Sequence, residues 1–240
     1  MEVHHHAHTA RKKWTHYFWE FLMLFLAVFC GFLAENQREH MIEHQREKQY
    51  IKSLVEDLKQ DTTQLRLIVS VMNQKIAYKD SLLIELGSPV VFRNSSRAHY
   101  FLELSRHFPD FIYTDRTIQQ LKNSGGMRLL RKRAVSDSIV DYDAKVRTVF
   151  VAQSQMNNMV LPYGFQKNKL FQVRRLDTLN RGYHTPDIPL LTQDKKDVEE
   201  FYNNMWDQRK FFLWLKELDR DLLLRGTRLI ALIKKEYHLE

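Results

Sequence analysis

The strongest constraint in this sequence is where Gly and Pro do not occur. None lies between Ala34 and Leu86, between Met127 and Leu161, or between Leu190 and Arg225. They gather at Gly87-Ser88-Pro89, Pro109, Gly125-Gly126, Pro162-Tyr163-Gly164 and from Gly182 to Pro189. These two residue types end helices and make tight turns. With seven Gly and five Pro in 240 residues, the chain lacks the turns of a sandwich or barrel, and long helices are what remains.

The first tract carries a seam: Ile51, Val55, Leu58, Thr62, Leu65, Val69, Met72, Ile76, Lys79, Leu83, Leu86. The spacing alternates four and three without a slip, which predicts a helix over 51–86 with a coiled-coil-like face. Leu54, Ile68 and Leu82 widen that face towards a bundle. Gly87 supplies the stop. Shorter helices are expected over 96–161. One runs from Ser96 to His107, one from Thr114 or Asp115 to Asn123, and one carries Val135, Ile139, Tyr142, Val146, Val149, Gln153, Met156 and Val160. A last long helix over 192–238 is expected to start with Thr192 as N-cap and Asp194 in its first turn. It shows Val198, Phe201, Met205, Phe212, Leu215, Leu222, Leu229 and Ile233 on one face, with Gly226 interrupting but not ending it. The two long helices have nearly equal reach, so an antiparallel pairing is the simplest arrangement. The fold expected is all-α: one N-terminal transmembrane helix, then an elongated antiparallel helical bundle.

The transmembrane reading rests on residues 14–34. From Phe21 to Ala34 run fourteen apolar or small residues, and Trp14, Tyr17, Phe18 and Trp19 extend them upstream as an aromatic belt. Residues 14–34 would cover roughly 31 Å as a helix, enough to cross a bilayer. A cleaved signal peptide is the competing reading, but Phe32 is too large for the position that peptidases read. Cys30 invites a lipoprotein reading, and Phe29 before it argues against that. One Cys also excludes an intramolecular disulfide. Arg11, Lys12 and Lys13 form a basic foot before the span, which favours a cytoplasmic N-terminal tail over 1–13 and an extracytoplasmic domain over 51–240. His4, His5, His6 and His8 read as a native tail with incidental metal affinity. Residues 35–50 read as a charged stalk that continues the membrane helix, steadied by Glu35–Arg38 and Glu43–Arg46 pairs.

Candidate chemistry is sparse. His40-Met41-Ile42-Glu43-His44 matches the H-x-x-E-H signature, with both imidazoles on one helical face. The scaffold around it reads as a polar stalk, so coincidence is the favoured reading. Glu20 is the one charge in the span, and an intramembrane carboxylate is a functional hypothesis by default. It could move a proton between partner helices, or rest hydrated beside Lys13 or His16. Arg128, Arg131, Lys132 and Arg133 form the densest basic patch, suited to anionic lipid or to a solvated helix face. No nucleic-acid motif accompanies it. There is no phosphate-binding Gly-rich loop, no G-x-S-x-G and no calcium loop, so neither a cofactor nor catalysis is expected.

The string TDRTIQQLKNSGGMRLLRKRAVSDSIVDYD, which starts at Thr114, together with Leu54, Asp57 and Leu58, resembles an uncharacterised family of bacterial single-pass membrane-anchored helical proteins. The residues that carry the likeness are an L-x-x-D-L element at Leu54–Leu58, an L-x-x-S-G turn at Leu121–Gly125, then Leu129, Leu130, Ile139 and Tyr142. Gly126 and the basic run after it depart from the pattern. The resemblance implies an architecture and no activity. The expected role is a structural or interaction protein of the bacterial inner membrane. It would present a periplasmic bundle to partners as an oligomer or as an accessory subunit of a membrane complex. The alternatives are a sensor or proton-motive-force-coupled subunit using Glu20 or a ligand site in the bundle, and a membrane-bound zinc hydrolase using His40, Glu43 and His44.

Overall fold

A computed structural model describes residues 14–177 and 187–239. The basic foot and the His-rich tail lie outside the described residues, as does most of the Gly182–Pro189 cluster. Helices fill the described chain: α1 Trp14–Gly87, α2 Ser96–Ser105, α3 Arg116–Asn123, α4 Arg133–Leu170, α5 Val173–Asp177 and α6 Lys195–Tyr237. Short 3-10 turns lie at Pro89–Phe92 and Gly126–Leu129. No strand occurs among the described residues. The all-α expectation therefore holds.

The chain divides into two units, Met1–Gln49 and Tyr50–Glu240. In the described part of the first unit, the side chains from Trp14 to Leu33 lie exposed or nearly so along α1. Arg38 then donates to Glu35 at 2.5 and 2.9 Å, the stalk pair that the spacing predicts.

The second unit is a bundle built on α1, α4 and α6. Every residue of the first seam is buried except Val69, which is half-buried. The buried residues of α6 form an unbroken four-three series: Val198, Phe201, Met205, Gln208, Phe212, Leu215, Asp219, Leu222, Gly226, Leu229, Ile233. Such a series keeps one face towards its neighbours over many turns. α6 runs antiparallel to α1, because Lys79 bonds Gln208 and Arg209 meets Asp80 while Gly226 lies against Thr62. It runs antiparallel to α4 as well, because Asn204 bonds Gln166 and Arg225 reaches Asp141.

Apolar side chains form two clusters. The larger joins Ile51–Ile76 of α1 to α3, α4 and Phe212–Ile233 of α6. The smaller joins Leu82–Leu86 to α2, Leu170, Phe171, Ile188, Leu190 and Val198–Met205.

Three boundaries differ from the sequence reading. The helix expected over 51–86 ends where expected, at Gly87, but its start lies at Trp14, so residues 34 and 50 mark changes of side-chain character along one helix of 74 residues. Pro162 and Gly164 do not end α4, which runs on to Leu170. A helical Pro removes one backbone hydrogen bond. The turns beyond it are held by Lys167 on Glu103, by Gln166 on Glu200, and by burial of Leu170 and Phe171. Finally, Asp194 and not Thr192 caps α6, its carboxylate accepting the Lys196 N–H at 2.9 Å. The Thr192 hydroxyl instead bonds Asp197 of the first turn and accepts the Asp194 N–H.

Two glycines have a geometric reason. Gly125 ends α3 with φ of 67°, the left-handed region that side chains disfavour. Gly226 lets three helices converge: a Cβ there would stand 2.9 Å from Thr62 Cγ2 and 3.1 Å from Tyr142 Cε2. Ala has the better helix propensity by about 1 kcal/mol, but both neighbours are buried and Tyr142 is tied through its hydroxyl to Asp61. Overpacking costs about 1–3 kcal/mol when neighbours cannot yield. Gly226→Ala should therefore lower stability in urea unfolding, and Thr62→Ser, which removes the clashing methyl, should recover part of the loss in the double variant.

Candidate functional site

The first candidate region is the apolar part of α1, which is long and apolar enough to cross a membrane and has none of its residues buried inside the protein. Its aromatic side chains stack along one side: Trp14 on Phe18, Phe21 on Phe25, and Phe25 on Phe29, with ring centroids 6.4, 6.2 and 5.9 Å apart. At about 100° per residue, Glu20 falls on the opposite side with His16, Ala27, Gly31 and Ala34. The His16 Nε2 lies 3.2 Å from the Glu20 carboxylate. The acid therefore has a polar neighbour one turn away.

The H-x-x-E-H stretch gathers no metal-ligand set. His40 Nδ1 lies 3.8 Å from Glu43 and His44 Nδ1 lies 3.3 Å from Glu47, each imidazole facing a carboxylate one turn on. No group of three or more His, Cys, Asp and Glu side chains placed to hold a metal occurs among the described residues.

The basic residues Arg128, Arg131, Lys132 and Arg133 are all exposed but do not share one helix. Arg128 sits in the 3-10 turn, Lys132 is extended, and Arg133 opens α4. Two are matched by acids: Lys132 with Glu236 at 3.7 Å and Arg133 with Asp137 at 3.6 Å. Leu130 between them is buried in the larger cluster. An open groove of about 420 Å³ lies elsewhere, where the end of α1 meets the start of α6. Leu86, Pro89, Phe92, Val198 and Tyr202 line it, with Lys195 and Glu199.

The most organised polar structure is inside the bundle. Asp57, Asp61 and Gln64 stand on one face of α1 and accept three backbone N–H groups of the segment entering α3: Thr117 at 3.1 Å, Thr114 at 2.9 Å and Ile112 at 2.5 Å. Asp57 thereby caps α3 from another helix, since the local cap residue Asp115 makes no side-chain cap bond. It also receives Arg116 Nε at 2.6 Å. Asp61 takes the Tyr142 hydroxyl at 3.0 Å. Burial pushes the Asp61 carboxyl up and the Tyr142 and Tyr113 hydroxyls up with it, the Asp61 charge adding to both tyrosine shifts. Asp57, Leu121, Gly125 and Tyr142 are the cap, core, turn and cross-helix bond of this region. The network holds a segment in place.

Among the other buried ionisable groups are Lys79 and Asp219. Lys79, 1% exposed, donates to Gln208 Oε1 at 2.7 Å and lies over the Phe212 ring. Asp219, also 1% exposed, has an Oδ1 atom with no hydrogen-bond partner, as does Gln153 Nε2 on α4. Sequence reasoning passed over Asp57, Asp61, Gln208 and Asp219 as sites. The signal was available for two of them, because Gln208 and Asp219 occupy steps that are missing from the apolar series on α6.

The chain matches no protein-family model, no curated protein and no solved structure.

Burial, with the Asp110 charge adding to it, raises the Asp219 carboxyl from 3.8 to about 7. The folded chain therefore keeps a proton that the unfolded chain releases near 3.8. That contribution is full below 3.8, declines as pH rises, and is lost above about 7. Across this window wild-type stability should fall by up to about 1.4 kcal/mol per pH unit more than that of Asp219→Asn, as read from urea midpoints at pH 5, 6 and 7. Parallel curves for the two proteins would remove Asp219 as the cause.

Proposed function

We propose that this chain is a single-pass inner-membrane protein that presents a helical bundle to partners in the periplasm, as an oligomer or as an accessory subunit of a membrane complex. One observation carries the reading: an apolar helical segment, none of it buried in the protein, leads in the same chain to a bundle with its own core. Exposed apolar surface of that extent needs lipid or another protein to cover it. The carboxylates of Asp57 and Asp61 hold one loop against the helices, an organisation that suits a binding role. Arg11, Lys12 and Lys13 before the span favour a cytoplasmic N-terminus. The exposed basic stretch Arg128–Arg133 adds positive charge that suits anionic lipid or an acidic partner surface.

In bacterial membranes the full chain should resist alkaline carbonate extraction and dissolve only with detergent. Its bundle should be digested by protease in spheroplasts, and a bifunctional amine crosslinker should trap the chain with itself or with a neighbour. Release by carbonate would overturn the anchor. Protection from protease would overturn the orientation, and an uncrosslinked monodisperse monomer would overturn the interaction role.

A second reading has its own observation. Glu20 lies on the side of the span away from the aromatic ladder and beside His16, a placement that suits an acid facing another helix, as intramembrane acids commonly do. As part of an energy-coupled complex, Glu20→Gln should abolish a phenotype that depends on membrane potential while leaving the amount of membrane-inserted protein unchanged. An unaltered phenotype removes this reading.

A further inference from the structure

The two apolar clusters of the bundle meet at a polar layer. On α1, Ile76 belongs to the larger cluster and Leu82 to the smaller, with Lys79 between them. On α6, Phe212 belongs to the larger and Met205 to the smaller, with Gln208 between them. Lys79 and Gln208 bond to each other across that gap. We propose that the Lys79–Gln208 layer is a proton-controlled joint: loss of the Lys79 proton locks the smaller cluster onto the larger, and protonation loosens it.

The geometry supports this from three sides. An ammonium has three protons to place, and here it meets one amide oxygen and one ring face. The neutral amine makes the same bond to Gln208 without a buried charge. The nearby charged groups are engaged elsewhere. On α1, Asp80 holds Arg209 of α6, and Lys75 donates to the Leu104 carbonyl of α2 at 2.6 Å. Glu103 of α2 takes Lys167 of α4 at 2.8 Å and also faces His99 of its own helix and Arg106 just beyond the helix end. On α6, Asp207 takes Lys210.

Burial accordingly lowers the Lys79 amine from 10.5 to about 7. The folded chain then holds fewer protons than the unfolded chain between those two values. The stability of the layer is lowest below pH 7, rises with pH above it, and is full beyond 10.5. Because a polar layer interrupts the apolar contact, the smaller cluster can open without the larger. The groove between Leu86 and Tyr202 lies in that smaller half, so its walls would move with the proton.

The test is hydrogen exchange on the full chain in detergent between pH 7 and 9, corrected for the intrinsic pH dependence of exchange. Amides of α2 and of the first turns of α6 should gain protection by roughly three- to tenfold per pH unit, while those of α3 and the first half of α4 stay level. Lys79→Met should be flat over the same range and better protected than wild type at pH 7. It keeps His99 and Glu103, so the difference belongs to Lys79. Three results would overturn the proposal: no gain in wild type, an equal gain in both halves, or a gain that persists in Lys79→Met. Should the variant fail to fold, the wild-type comparison of the two halves decides alone.

Discussion

The bundle depends on one close crossing, where α6 passes α1 and α4 at Gly226. Only a hydrogen at that position leaves room for the Thr62 methyl and the Tyr142 ring. With the ring there, the Tyr142 hydroxyl reaches Asp61, and the other Asp61 oxygen takes the Thr114 N–H. Asp57, one turn back, then takes Thr117. A glycine on one helix thus sets the spacing at which two carboxylates on a second can organise a loop and the start of a third. Arg116 on Asp57 adds less than its 2.6 Å distance implies, because most of the Arg116 side chain is in water. The bonds to buried backbone N–H groups matter more, since leaving such a donor unpaired costs about 1–3 kcal/mol.

Polar residues inside the seams work against stability and for definition. Thr62, Lys79, Gln208 and Asp219 each take a place that Leu or Ile would fill with greater burial of apolar area. Lys79 fixes register, because its amine finds an acceptor at Gln208 and nowhere along the apolar steps on either side. A slip of one heptad would bury the amine against Leu215 or Phe201. Polar residues at seam positions are known to select register in this way at a cost in stability. Asp219 has no such partner for one of its oxygens, and register does not explain it.

Much of this was legible in the residues. Period located α1 from Ile51 onward, most of α4, and α6, with nearly all of their buried faces, because a four-three apolar rhythm over several turns has few other solutions. The turn at Gly125 and the end of α1 at Gly87 followed from the same punctuation. Pro162 misled, because its effect is local while the contacts that carry α4 onward come from residues distant in sequence, Glu103 and Glu200. The cap of α6 shifted by two residues because Thr192 and Asp194 are both good caps, and only the fold decides which stands beside a free N–H. The role of Asp57 was invisible for a related reason. Its partner lies 60 residues away, and an acid beside a seam reads from sequence as solvated. The H-x-x-E-H stretch is the opposite case, a pattern whose residues are spent on neighbours one turn away.

That one helix serves both units follows from backbone chemistry. An α-helix satisfies its N–H and C=O groups within itself, so the same backbone is stable in hydrocarbon, in water and in a protein core. Only the side chains need to change along α1. They do so in order: aromatic and aliphatic from Trp14, charged with i to i+3 pairing from Glu35, then a seam from Ile51. A strand or a loop could not make those transitions without unpaired backbone groups. The absence of Gly and Pro from Ala34 to Leu86 therefore does more than favour helix. It keeps a single element continuous through three kinds of side-chain surroundings, and a break at either change would leave helix ends there to be capped or solvated.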